Sequence, residues 1–152
     1  MNVMPTCFFI GHRDAPESLM IELEDAIECH ILQYGVREFV VGQYGRFDGM
    51  AAKAVRKAKQ RYDGIRLTLL LAYYNSKIMI PEGFEDSLYP EGMERVPKHA
   101  AIVRVNRYMI DHSDYIIAYD MGRIGNTREM LQYAIKRKKM GRAQIQNLWK
   151  ET

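Results

Sequence analysis

The sequence predicts an α/β sandwich of three layers, a mostly parallel five-stranded sheet with helices on both faces. Three observations carry this: short apolar runs without clean alternation, amphipathic helical stripes, and a near-regular exchange of the two along the chain. Strands covered on both faces read as continuous apolar runs, whereas a helix packed on one side repeats its apolar residues at helical spacing. Their exchange calls for right-handed crossovers between parallel neighbours, a Rossmann-like layout. A length of 152 residues with 47% hydrophobic content suits one domain over 1–152 with a single core.

The first predicted strand, Thr6 to Ile10, runs into "IGHRDAPE". In a parallel α/β sheet, ligands bind outside the carboxyl ends of the strands. Gly11 would let the backbone pass close to a ligand there, and His12 and Arg13 put donors at that edge for phosphate or a base. The same residues also read as a turn entering a helix, with Asp14 as N-cap, Glu17 as its capping-box partner and Pro16 in the first turn. The two readings are compatible. Leu19, Leu23, Ala26, Ile27, Ile31 and Tyr34 form the stripe of the first helix.

The second strand, Glu38 to Val41, leads into "GQYGRFDGMAAKAV". Gly42 and Gly45 bracket a loop entering a helix whose apolar face is Phe47, Met50, Ala51, Ala54, Val55, Ala58 and Tyr62. The N-terminal amides of such a helix make an anion site. Asp48 has two readings, an N-cap that occupies those amides or an acceptor for ribose hydroxyls, and spacing favours the cap. The glycine spacing matches neither the dinucleotide fingerprint nor the P-loop.

The third strand spans Ile65 to Ala72. Tyr73 to Pro97 then shows little periodicity and contains Pro81, Pro90 and Pro97, as lids, binding loops or partly disordered segments do; with Tyr73, Tyr74 and Tyr89 it could fold over a base. The third helix covers Lys98 to Asp111, with Ala101, Val105, Tyr108 and Met109 inward. Arg107 and Asp111 share one of its faces, which by spacing alone is an exposed ion pair. After the fourth strand, Tyr115 to Tyr119, comes "DMGRIGNTREMLQYA", where Gly122 and Gly125 make a second candidate phosphate cradle. Asn126 and Glu129 equally spell a capping box. Met130, Leu131, Ala134 and Ile135 form the fourth helix, with Gly141 as its C-cap, and Ala143 to Leu148 the fifth strand.

The net charge is +3, and between residues 121 and 142 the basic side chains face only Glu129. That bias permits an anionic partner. "KRKKMGR" reads as a solvated helix face, and without interleaved aromatics it does not predict a nucleic-acid partner. Cys7 and Cys29 form no CxxC and no metal-ligand spacing, so no metal site and no cofactor are expected, and a reducing compartment suits them. The start "MNVMPTCFFIGHRD" lacks signal-peptide character and no segment approaches the roughly 18 apolar residues of a membrane span, which predicts a cytoplasmic protein without a membrane partner.

In combination, "FFIGHRDAP", "GQYGRFDGMAAKAV", "SLYPEGMERVPKHAAIVRVNRYMIDHSDYIIAYD" and "GNTREMLQYAIKRK" resemble the short bacterial branch of the SLOG superfamily. That superfamily joins the Lonely Guy phosphoribohydrolases and the Smf/DprA DNA-processing proteins. The resemblance covers nearly the whole chain and implies a Rossmann-like fold, a nucleotide or nucleotide-derived ligand, NAD-derived ones included, and a homodimer. It assigns ligand contact to Gly11, Gly42, Gly45, Asp48, Arg107 and the loop Gly125, Asn126 and Thr127, and it raises Asp48 above its capping role. Ser113 is placed at the mouth of the fourth strand.

Departures from the family pattern bear on chemistry. Gln43 follows Gly42 and Asn126 follows Gly125 where the branch carries glycine pairs. The glutamate that Lonely Guy enzymes use falls on Met130, counting from Thr127, or on Gln132, aligning on "LQYA". Neither side chain activates water or stabilises an oxocarbenium-like centre. The expectation is therefore a binding protein, a sensor, carrier or sequestering module. The alternative is a phosphoribohydrolase acting on nucleoside monophosphates, with Asp48, Arg107 and Asp111 as catalytic candidates. A DNA-processing role ranks third.

Overall fold

A computed structural model describes residues 4–75, 77–139 and 144–150. Six strands form one sheet: β1 (Thr6–Gly11), β2 (Glu38–Val41), β3 (Arg66–Leu70), β4 (Asp86–Leu88), β5 (Tyr115–Tyr119) and β6 (Gln144–Asn147). Their order is β4-β3-β2-β1-β5-β6, and every pairing is parallel. The expected five strands are all present, and Phe8 lies opposite both Val40 and Ile116.

β4 is the addition. It lies within the stretch expected to be a lid, and its three residues are too few to show a period. Its pairing is reinforced from outside the ladder: Glu85 accepts from the Leu67 N–H at 2.7 Å and pairs with Lys59. The segment is thus partly an edge strand. Tyr73 donates its hydroxyl to the Lys98 carbonyl, and Tyr73 and Tyr89 pack partly buried against the core, while Tyr74, 62% exposed, leans on Tyr89 at 5.7 Å.

Four helices cover the sheet: α1 (Met20–Tyr34), α2 (Arg46–Arg61), α3 (Ala101–Asp111) and α4 (Asn126–Lys139). Successive strand residues point to opposite faces, and the apolar runs divide accordingly. Cys7, Phe9, Phe39 and Val41 pack with Leu23, Ile27 and Ile31 of α1 and with Phe47, Ala51 and Val55 of α2. On the other face Phe8, Ile10, Val40 and Ile116 meet Val105 and Met109 of α3 and Met130 and Ala134 of α4. Burying each large side chain contributes about 1.5–3 kcal/mol.

Three predicted core positions lie nearer solvent. Tyr34 is exposed and stacks on Tyr115 at 4.8 Å, Tyr108 stacks on His112, and Ile135 is exposed. Gly141 and Ala143 lie outside the described residues. Among the described residues no helix is long and apolar enough to cross a membrane.

The strand order sets the place of the site. From β1 the chain turns into α1, towards β2; from β5, hydrogen-bonded beside β1, it turns into α4 on the opposite face, towards β6. The two connections leave in opposite directions and open a crevice at the carboxyl ends of β1 and β5.

Candidate functional site

A cleft of about 620 Å³ occupies that crevice. Its walls are the loop after β1 (Gly11, His12, Arg13, Asp14), Gly42 and Tyr44 after β2 with Asp48 of α2, and Arg123 to Thr127 after β5; Ile102 and Asn106 of α3 and Met130 of α4 complete it. Of the expected ligand residues, Gly11, His12, Arg13, Gly42, Asp48, Gly125, Asn126 and Thr127 are brought together here.

Gly45 shapes the wall without lining it. It is the N-cap of α2 with φ 151° and ψ 173°, a conformation essentially confined to glycine. A Cβ there would lie 2.7 Å from Arg13 Cα. The loops after β1 and β2 touch at this point, where Arg46 N–H donates to the Arg13 carbonyl at 2.9 Å. Gly11 is similarly fixed by contact, since a Cβ on it would enter the Phe47 ring.

The capping readings need correction. Asp48 is not the N-cap of α2; it stands at the third helical position and its Oδ2 accepts from Tyr44 N–H at 3.0 Å. Asn126 is the first residue of α4, and the Gly125 carbonyl accepts the first helical bond, from Glu129 N–H at 3.1 Å. Gly125, at φ 150°, therefore sits at the cap position, where it offers no side-chain oxygen. Among the described residues no side chain accepts from the first-turn amides of α4. Asp14 does not cap α1 either: Pro16 precedes a short 3-10 turn, Leu19 precedes α1, and neither makes a side-chain cap bond.

Asp14 is engaged elsewhere. Its carboxylate takes a bidentate pair from Arg123, 2.7 Å from Nη2 and 3.2 Å from Nη1. This bridge joins the loops after β1 and β5 across the cleft. Arg123 holds the exposed Asp14 carboxyl below its ordinary range.

Asp48 behaves differently. Burial pushes its carboxyl up from 3.8 to about 6, opposed by the Tyr44 N–H. Its Oδ2 lies 3.0 Å from where a Cβ of residue 42 would sit, so Gly42 leaves room for the carboxyl. Half protonated near pH 6, the acid both donates and accepts there, and as a carboxylate at neutral pH it accepts from ligand hydroxyls.

His12 is 7% exposed. Its Nε2 accepts from Met121 N–H at 2.8 Å, which fixes the neutral tautomer with the proton on Nδ1. Burial, with the Arg123 charge, lowers its pKa, while Asp120, 3.6 Å away, pulls in the other direction. The ring ties β1 to the β5 loop and also lines the cleft.

Arg107, Asp111 and Ser113 are not in the cleft. Arg107 lies over the Tyr133 ring at 5.3 Å. The expected pairing of Arg107 with Asp111 is not formed; Asp111 instead accepts from Tyr133 at 2.7 Å and lies 3.0 Å from Arg137 Nε, an ion pair without hydrogen-bond alignment. Ser113 is buried just before β5, at the amino end of the sheet, and donates to the Met109 carbonyl.

Tyr44, Ile102, Asn106, Arg123 and Ile124 were not expected in the cleft, and Asp14 was expected only as a cap. For Asn106 a signal was present: it stands four after Ile102, so the two share a helix face, and the neighbouring Arg107 is turned about 100° away.

No family model matches the chain, and no curated protein matches it. Two solved structures share its fold. A structure of the molybdenum cofactor carrier protein MCP from Chlamydomonas reinhardtii aligns over 95% of this chain and 91% of its own, with a TM-score of 0.59 and 14% identity. A second structure of the Chlamydomonas Moco carrier protein aligns over 96% and 92%, with a TM-score of 0.56 and 13% identity. At such identity the likeness is one of fold.

Proposed function

We propose that this chain binds a small phosphorylated ligand of the nucleotide class, NAD-derived ligands included, and holds it intact as a carrier, sensor or sequestering module. The observation that carries this reading is the bare N-terminus of α4, opened by Gly125 onto a cleft that Arg13 and Arg123 also line. Unsatisfied amides and the helix dipole favour an anion there. Arg13 is exposed and makes no side-chain bond among the described residues. Asp48 offers a partner for hydroxyls, and Ile102, Met130 and Tyr44 give apolar surface for a ring. The SLOG resemblance agrees with this class. The fold shared with a molybdenum cofactor carrier supports a carrying role and makes that cofactor a second cargo to test.

Thermal denaturation with a panel of nucleoside phosphates and NAD fragments tests the reading. A ligand at a hundred times its Kd stabilises by about 2.7 kcal/mol, or about 5–10 °C in Tm for a chain of this size. Absence of any shift at millimolar concentrations overturns it. Native mass spectrometry and molybdenum analysis of the purified protein separate a nucleotide from the metal cofactor.

One observation favours a second reading, hydrolysis of an N-glycosidic bond: the raised pKa of Asp48 is that of a usable general acid. Against it, Met130, on which one alignment places the family's glutamate, is buried and apolar, and Gln132 is exposed. Incubation with AMP and chromatography for free adenine decides the matter; release that is lost in Asp48→Asn would establish hydrolysis.

A further inference from the structure

We propose that Asp14 is a built-in competitor for Arg123, holding the guanidinium that a phosphate-type oxyanion takes over on entering the cleft. The proposal rests on the ligand reading above and adds to it a binding residue, Arg123, and a carboxylate that tunes its affinity.

The pair has the geometry of a stand-in. Two guanidinium nitrogens meet two carboxylate oxygens at 2.7 and 3.2 Å, the same fork a phosphate offers. Both residues line the cleft. Their side chains are 50% and 64% exposed, and exposed ion pairs are weak, so exchange of partner is inexpensive. A phosphate carries more charge than Asp14 and meets the α4 amides at the same time.

The chain around Arg123 confines any movement. Met121 is held by His12, and Gly122 N–H donates to Asp120 Oδ1 at 2.9 Å. Beyond these anchors, Arg123 and Ile124 stand between two glycines of positive φ, Gly122 at 84° and Gly125 at 150°. Ile124 is 92% exposed yet lines the cleft. A turn of this two-residue flap towards the α4 N-terminus carries Ile124 over the ligand.

An independent feature points to a ligand at the same place. His12 is more than nine-tenths buried, and with Nε2 occupied by Met121 its Nδ1–H has no acceptor among the described residues. Among the described residues Nδ1 is not sealed from solvent, and His12 lines the cleft, so this donor is open to a group that enters there.

Titration of inorganic phosphate by phosphorus NMR, on the wild type, Asp14→Ala, Arg123→Gln and the double variant, tests the competition. Both side chains are exposed, so all four proteins are expected to fold. Asp14→Ala should bind phosphate about 2- to 5-fold more tightly, the range expected from losing an exposed pair. Arg123→Gln should bind it about 10-fold or more weakly. In the Arg123→Gln background, Asp14→Ala should gain nothing, because there is no guanidinium left to release. A gain that persists in that background shows simple charge repulsion and overturns the competition while leaving the ligand reading intact, as does an Asp14→Ala affinity equal to the wild type. If phosphate binds none of the four, the ligand reading falls, and the competition with it.

Discussion

Asp48 and His12 face one cleft with opposite pH responses. Because burial raises the Asp48 carboxyl to about 6, the folded chain keeps a proton that the unfolded chain loses near 4. Its contribution to stability is therefore full at low pH, falls as pH rises through that window, and is level above about 6. His12, whose pKa burial lowers, does the reverse: its contribution is full above 6.5 and declines as pH falls below that value. The wild type alone shows the sum, so the test compares urea denaturation of the wild type and Asp48→Asn from pH 4 to 7. The variant should gain relative stability through the window and then level off, by at most about 3 kcal/mol; a difference independent of pH would show that folding leaves the Asp48 carboxyl unshifted. His12→Ala, which strands the Met121 N–H, should cost about 1–3 kcal/mol at neutral pH. The sequence placed both residues at the cleft. It could not show their protonation, because desolvation is set by side chains far along the chain.

Elements were legible where they are long and periodic. The stripes of α1 and α2 and the runs of β1, β2, β3 and β5 come from local chemistry, so the residues alone predict them. What escaped was β4, too short for a period, and the caps, where glycine competes with acids. Asp14, Asp48 and Asn126 each carry a side chain that caps helices well, yet the cap positions of α2 and α4 fall on Gly45 and Gly125, one to three residues away. At Gly45 the reason is contact between loops, since any Cβ there meets the Arg13 backbone; at Gly125, where a Cβ meets nothing within 4 Å, it is the backbone conformation, φ 150°. Gly45→Ala should accordingly cost about 2–4 kcal/mol, from the backbone conformation and the clash together. Gly49 is a control within the same helix. It is exposed, and a Cβ there meets nothing within 4 Å, so Gly49→Ala should stabilise by about 0.5–1 kcal/mol. Urea denaturation of the two variants checks both signs; equal effects would show that the α2 entry is not constrained by the β1 loop.

At the scale of the whole molecule, the start of the loop that carries Arg123 into the cleft is held from the edge strand β6. Asp120, directly after β5, donates its N–H to Asn147 Oδ1 at 3.0 Å, and Asn147 Nδ2 donates to the Asp120 carbonyl at 3.1 Å. The same Oδ1 accepts from Trp149 N–H at 3.1 Å. One side chain of β6 thus fixes the backbone that positions Gly122 through Asp120 and lies beside His12. Nothing in the sequence near Asp120 announces this partner, since strand order decides which distant residue arrives there. Asn147→Ala leaves the Asp120 N–H and carbonyl without these partners, at a cost of about 1–2 kcal/mol to stability. The larger consequence is local: with the clamp gone, the segment from Asp120 to Gly122 opens below the global unfolding energy. Hydrogen exchange followed by mass spectrometry should show faster exchange in peptides spanning residues 119–123, while those from β1 and β2 change no more than global destabilisation requires. Uniform acceleration across the sheet would mean that β6 stabilises the fold as a whole and leaves the cleft no softer than the rest. Selective loss at the β5 loop would identify Asn147 as the residue through which an edge strand holds the loop of Arg123 and Ile124 in place.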